Sequence, residues 1–169
     1  MRKIAVIGCA GTGKSYLACR LQEILDLPLY HLDKYYWKSG WVRSNPEEFQ
    51  KIHNELCNEE RCIIEGSYLR YLESRFEAAD TIIFIDLPRW FCLFRVFKRA
   101  IFNWGKVMPT SPKDCPEGLT LEFVKWVWNF NKKYRTNIIS LLNKYSNSKK
   151  IYIIKNQKEF DNFIETLKS

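Results

Sequence analysis

The chain has 169 residues, 46% of them hydrophobic and 15% aromatic, enough to fill a core and too apolar for a disordered segment. Lys and Arg outnumber Asp and Glu by 27 to 19, and the resulting charge of +8 favours an anionic partner: a nucleotide, a nucleic acid or an acidic membrane. No stretch reaches the roughly 18 uncharged apolar residues of a membrane span. The apolar run behind Met1-Arg2-Lys3 stops at Gly8, too soon for a signal peptide. Six cysteines form no Cys-x-x-Cys and have no His at metal spacing. Those at 19, 62 and 92 lie in apolar runs and read as reduced core residues, which places the protein in the cytoplasm.

Short apolar runs alternate with helical patterns, the sign of an α/β domain with a largely parallel sheet. Residues 3–7 form the first predicted strand and 14–25 a helix, with Leu17, Ala18, Leu21 and Leu25 on one face. A second strand is expected at 29–32. Ser44-Asn45-Pro46-Glu47-Glu48 then opens a helix to about residue 58, with a cap, a first-turn proline and early acids. The third strand is 61–65 and the fourth 80–86, where Pro88 begins a helix to about 102. Residues 104–118, with three prolines and two glycines, are irregular and fit a mobile lid. A long helix at 120–145, a fifth strand at 149–154 and a helix at 158–167 complete one domain over 1–169. Its acceptor-side helical segment is about 34–60 and its lid about 88–118.

Gly8-Cys9-Ala10-Gly11-Thr12-Gly13-Lys14-Ser15 meets the pattern G-x-x-x-x-G-K-[ST], between a strand and a helix as the chemistry requires. The glycines let backbone N–H groups turn inward around phosphate oxygens, and the helix adds the positive end of its dipole. Gly8, Cys9, Ala10, Gly11, Thr12, Gly13, Lys14, Ser15 and Tyr16 are therefore the candidate nucleotide-binding residues. Lys14 is expected on the β- and γ-phosphates, and the Ser15 hydroxyl on Mg²⁺. No Asn-Lys-x-Asp guanine motif, transporter signature or G-x-G-x-x-G is present, which leaves the small phosphotransferases.

Three further groups suit that class. Glu65, in Ile63-Ile64-Glu65-Gly66-Ser67-Tyr68, would sit beside the loop and hold a Mg²⁺ water, with Gly66 letting an acceptor approach the backbone. Asp33 stands at the end of strand two, where open α/β sheets bind ligands, and would position an acceptor hydroxyl or take its proton. Arg95 and Arg99, four apart on one helix face, would clamp the transferring phosphoryl group. Residues 86–135 hold ten basic and four acidic side chains, +6 of the total +8. The bulky residues of the helix before the lid, Trp90, Phe91, Phe94, Val96 and Phe97, fall on nearly every side, favouring burial between sheet and lid over a bilayer surface.

Several segments follow the loop in order: Tyr30-His31-Leu32-Asp33, Trp37-x-x-Gly40-Trp41, Ile63 to Tyr68, Phe84-Ile85-Asp86-Leu87-Pro88-Arg89-Trp90, and Trp126-Val127-Trp128-Asn129-Phe130. Together they resemble the bacterial DNA topology modulation (FlaR-like) proteins, a branch of the adenylate-kinase-related P-loop family. The resemblance covers nearly the whole chain. It implies a three-layer P-loop NTPase fold, a five-stranded parallel sheet of order 2-3-1-4-5, ATP with Mg²⁺ at residues 8–15 and an Arg-bearing helical lid. Adenylate-type kinases carry an Asp-Gly pair and then an acceptor-binding Arg, where this chain has Glu65-Gly66 and Arg70. Asp33, Trp37, Gly66, Tyr68 and Arg70 are thus the candidate acceptor-binding residues. The expected function is an ATP-dependent phosphotransferase acting on a small molecule, nucleoside or nucleotide. The alternative is a nucleic-acid-associated NTPase affecting DNA topology, although no DNA-binding motif is present.

Overall fold

The computed structural model describes residues 1–168. Its first strand, β1 (Lys3–Gly8), leads through the glycine-rich loop into helix α1 (Lys14–Leu25), and Pro28 precedes β2 (Leu29–His31). A single turn, α2 (Asp33–Tyr36), is followed by a small antiparallel hairpin of β3 (Trp37–Lys38) and β4 (Val42–Arg43). Helix α3 (Pro46–Asn58) starts as expected: the Asn45 side chain accepts from the backbone N–H groups of Glu47 and Glu48. There follow β5 (Cys62–Glu65), α4 (Leu72–Ala78), β6 (Thr81–Ile85), α5 (Arg89–Asn103), α6 (Leu121–Tyr145), β7 (Lys150–Ile154) and α7 (Gln157–Lys168).

The main sheet is five-stranded and parallel, in the order β2-β5-β1-β6-β7. The expected numbering 2-3-1-4-5 counted only the strands of this sheet, and the hairpin shifts the labels of those after it. Every residue of β5 and β6 is buried, as is all of β1 after Lys3, the mark of strands covered on both faces. Right-handed crossovers explain the layers. The step from β1 to β2 runs towards one edge and carries α1. The steps through α3, α4 and α5–α6 run towards the other edge and place their helices on the opposite face. The packing agrees, with α1 against α7, and α4 against both α3 and α6.

Leu17, Ala18 and Leu21 of α1 are buried in the main core; a Leu there contributes about 1.5–3 kcal/mol of burial. A second cluster of Leu32, Phe49, Leu56, Cys57, Cys62 and Ile64 lies under α3. All six cysteines are free, five of them buried, while Cys19 is half-buried rather than a core residue.

Two expectations need correction. The segment 34–60 is not simply helical, because the β3–β4 hairpin occupies its first part. The side chains of α5 are not buried on every side: Cys92, Leu93, Val96 and Ala100 face the core, whereas Trp90, Phe94 and Phe97 are exposed. No shielding lid lies over them, because residues 104–118 fold towards the hairpin instead.

Candidate functional site

The loop is braced from within. The buried Thr12 hydroxyl donates to the Cys9 carbonyl at 2.8 Å, so this side chain braces the turn. Cys9 points into the core, with Sγ 3.9 Å from the Val127 carbonyl, and contributes only backbone to the loop surface. Gly11 has φ +80, and a Cβ there would lie 2.3 Å from the Cys92 carbonyl oxygen, so only glycine fits against α5. Gly13 caps α1 in the left-handed conformation, leaving the first amides of the helix without a side-chain cap.

Around this loop the strand ends gather charge. Glu65 closes β5, is 2% exposed, and meets three groups. Lys14 Nζ lies 3.3 Å from its Oε1, the Ser15 hydroxyl donates to Oε2 at 3.3 Å, and His31 Nδ1 lies 2.7 Å from Oε2. Burial alone would raise the Glu65 pKa, but the Lys14 charge and the His31 hydrogen bond outweigh it, and the carboxyl is held below the usual range. An ionised carboxylate only accepts, so His31 Nδ1 carries the proton. Burial likewise works against the Lys14 ammonium, yet the charges of Glu65 and Asp33 hold its pKa above the ordinary lysine value. Oε1 of Glu65 is buried, and the Lys14 ammonium is the group that faces it. A hard oxygen with spare lone pairs beside a serine hydroxyl is the donor set that suits a hydrated Mg²⁺. Among the described residues no cluster of three or more His, Cys, Asp or Glu could hold a metal without help from a ligand.

The side where an acceptor is expected is built from aromatic rings. Tyr68 donates its hydroxyl to Asp33 Oδ1 at 2.6 Å, and burial together with the Asp33 charge pushes the phenol pKa up. Tyr36 packs on Tyr68, Phe49 and Trp37 with centroids 4.7, 5.1 and 5.0 Å apart, and Trp37 meets Trp41 at 5.6 Å. Gly66 has φ +147, and a Cβ there would come within 2.9 Å of the Leu32 side chain, so the chain turns closely past β2. Arg70 is not brought to the loop: it lines a separate hollow of about 440 Å³ with Gln50, Asn54, Tyr71 and Ser74. The arginine at work behind the strand end is Arg75. It is 1% exposed and donates to the carbonyls of Gly66 at 2.8 Å and Tyr68 at 3.4 Å.

Arg95 and Arg99 have separate partners. Arg95 reaches the Thr12 carbonyl at 3.5 Å and Gln157 at 2.8 Å, with its guanidinium 4.4 Å over the Phe91 ring. With Gly13, Tyr16, Phe160 and Asp161 it lines a hollow of about 530 Å³ beside the loop. Arg99 instead donates to Glu117 in the lid at 3.0 Å. Its charge still opposes that of Lys14, which places it in the same neighbourhood. The lid is also tied to the hairpin: the buried Cys115 thiol donates to the Lys38 carbonyl at 3.3 Å and accepts from the Trp41 amide at 3.4 Å, and Gly40 N–H donates to Asp114.

Sequence reasoning passed over His31, Arg75, Glu117 and the structural role of Asp86, which pairs with Arg135 at 2.8 Å. Tyr30-His31-Leu32-Asp33 held a signal for His31, since an alternating strand that buries Leu32 on one side turns its neighbours elsewhere. Nothing in sequence spacing marks Glu117 or Arg75.

No protein-family model matches the chain. The uncharacterized protein YqaC of Bacillus subtilis (strain 168) is 24% identical over 129 residues, covering 74% of this chain and 70% of the relative. Among solved structures, shikimate kinase from Acinetobacter baumannii superposes with a TM-score of 0.57 at 14% identity, over 99% of this chain and 90% of that one. A gluconokinase from Sinorhizobium meliloti 1021 gives 0.56 at 14% identity, over 98% and 89%. None of these three is described as a topology modulation protein, so the finer resemblance gains no support from them. What the likeness shows is the architecture: the chain has the fold of the P-loop kinases.

Proposed function

We propose that the chain is an ATP- and Mg²⁺-dependent phosphotransferase acting on a small-molecule hydroxyl or phosphate acceptor. One observation carries the reading: Lys14, Ser15 and Glu65 converge at the carboxyl ends of β1 and β5, with the Asp33 charge acting on the same lysine. Lys14 would exchange its ion pair with Glu65 for the β- and γ-phosphates, which it can do while remaining protonated. Ser15 and, through water, Glu65 would hold the cation, whose positive charge would offset that of the phosphates. The nucleoside would lie in the hollow beside Gly13, against Arg95, Tyr16 and Phe160. Asp33, fixed by Tyr68, would orient the acceptor, with Trp37, Gly66 and the ring cluster around it. Arg99 would leave Glu117 for the transferring group as the lid closes.

The test is an ADP-release screen over polyols, sugar acids, nucleosides and nucleoside monophosphates, run with the parent chain and Lys14→Ala. Acceptor-dependent turnover lost in the variant supports the assignment; turnover unchanged by Lys14→Ala for every active acceptor overturns it. A nucleic-acid-associated NTPase draws on the +8 charge and the basic, aromatic segment Arg89–Lys106, and the phosphates of ATP account for the charge as readily.

A further inference from the structure

Helix α5 turns a row of large apolar side chains towards solvent. Trp90, Phe94, Phe97 and Ile101 recur at intervals of four, three and four residues, which stacks them along one side of the helix. Trp90 is 66%, Phe94 65% and Ile101 73% exposed, and Phe102, Trp104 and Val107 carry exposed apolar surface into the following loop. The core does not use this side, because Cys92, Leu93, Val96 and Ala100 make the packed face. Scattered exposed apolar residues need no explanation, but a contiguous aromatic row marks a surface with a partner.

Charge decides which partner. From residue 87 to 113 the chain holds six basic side chains and no acidic one. Arg95 and Arg99 are engaged with the loop and the lid, and Arg89 lies 4.1 Å over the Trp128 ring, which also meets Trp90 edge-on at 4.4 Å; Arg89, Lys98, Lys106 and Lys113 all remain exposed. A second copy seated face to face would set this positive strip against itself, a like-charge contact that disfavours the pair. A nucleic acid would answer the cations but leave Ile101 and Phe102 in water. A bilayer with anionic headgroups answers both, with rings at the acyl boundary and ammonium groups among the phosphates. No helix among the described residues is long and apolar enough to cross a membrane, so the contact would be one of lying on the surface.

We propose that the Trp90–Phe94–Phe97–Ile101 face of α5 is a docking surface for an anionic lipid bilayer. The helix lies along the headgroup boundary and holds the phosphate loop beside the membrane. At about 100° per residue, Arg95 and Arg99 stand roughly 140° and 180° round the helix from Trp90, so docking leaves the loop uncovered.

The experiment mixes the whole chain with vesicles of phosphatidylcholine alone or of phosphatidylcholine with phosphatidylglycerol. Cosedimentation and the tryptophan emission maximum are read at low and high salt. Binding to the anionic vesicles with a blue-shifted emission, weakened by salt and absent on the neutral ones, is expected. Phe94→Ser with Ile101→Ser should lower partitioning at least about tenfold, and Lys98→Glu should lower it at least about fivefold. These side chains are exposed, and an unchanged thermal melt checks that each variant folds. Failure of the parent chain to bind anionic vesicles at low salt overturns the proposal. So does a dimer by sedimentation equilibrium that Phe94→Ser with Ile101→Ser dissolves, which would assign the face to a second copy. A DNA or RNA gel shift that anionic vesicles cannot compete away overturns it in favour of nucleic acid. Because the readout is physical binding, its failure would leave the kinase reading standing, and the reverse.

Discussion

The two sides of the cleft are held by different forces. Around the phosphate loop, backbone presses on backbone: Gly11 rests against the Cys92 carbonyl, Thr12 braces Cys9, and the charges of Lys14 and Glu65 are buried together. Across from it, Asp33, Tyr36, Trp37 and Tyr68 are only half-buried, and their hairpin is made of two strands of two residues each. A loop that must fit one invariant group, a chain of phosphates, gains from rigidity. A pocket faced with stacked rings and short strands can be reshaped by a few substitutions, and ring stacking fixes shape without fixing which hydrogen bonds are offered.

That contrast can be broken most directly at the loop. Lys14→Ala should lower turnover by roughly 10³-fold or more, and Gly11→Ala should abolish binding of an ATP analogue in calorimetry, because its Cβ cannot be placed. If Gly11→Ala bound the analogue normally, the loop would be more pliable than its contacts state. Glu65→Gln comes next. It leaves the Lys14 ammonium buried without its main partner, at a cost of about 3 kcal/mol, read as a drop in thermal midpoint. Saturating ATP should restore part of that loss, since phosphate replaces the missing charge. On the acceptor side, Tyr68→Phe should raise the acceptor KM about tenfold, the loss of one charge-assisted hydrogen bond, with ATP affinity unchanged. An equal fall in ATP affinity would erase the distinction between the two sides.

Proton linkage gives a separable effect on stability. Burial, with the nearby Arg75 charge, pushes the His53 pKa down to about 4 from its usual 6.5. The folded chain therefore binds fewer protons than the unfolded one, and the stability tied to neutral His53 is present above pH 6.5 and lost as the pH falls towards 4. About 2 kcal/mol is expected after allowance for solvent screening, and denaturation curves of His53→Gln should be flatter over that window. The smallest effect is Cys115→Ser, about 1 kcal/mol, visible as faster hydrogen exchange at the Gly40 and Trp41 amides.

Why the sequence showed one side and hid the other follows from these same forces. The loop is local, so its spacing, its strand and its helix are written within residues 3–25 and could be read in one pass. The main sheet was legible because its central strands are continuous apolar runs such as Thr81-Ile82-Ile83-Phe84-Ile85. The β3–β4 hairpin is too short to show an alternating pattern, and Trp37 and Trp41 read equally well as packing residues. The partners of Glu65 include His31, 34 residues away, and Arg99 meets Glu117 across an irregular stretch. Such pairings are set by the path of the chain, which no local spacing records. On α5, aromatic residues around the whole helix masked which of them the sheet would cover, since periodicity cannot separate a buried ring from one awaiting a partner.

The sulfur of Cys115 gives the two covers of the cleft a common hinge. It is held between the Lys38 carbonyl and the Trp41 amide, so the strip that would fold over a nucleotide and the one beside the acceptor are fastened to each other. Under the proposed function, an acceptor that drew the hairpin inward would bring residues 112–117 with it, and a nucleotide that drew the lid would bring the hairpin. Each ligand would then tighten the grip on the other by one shared factor, because such coupling is reciprocal at equilibrium. Two titrations of ATP analogue, with and without acceptor, would measure that factor directly.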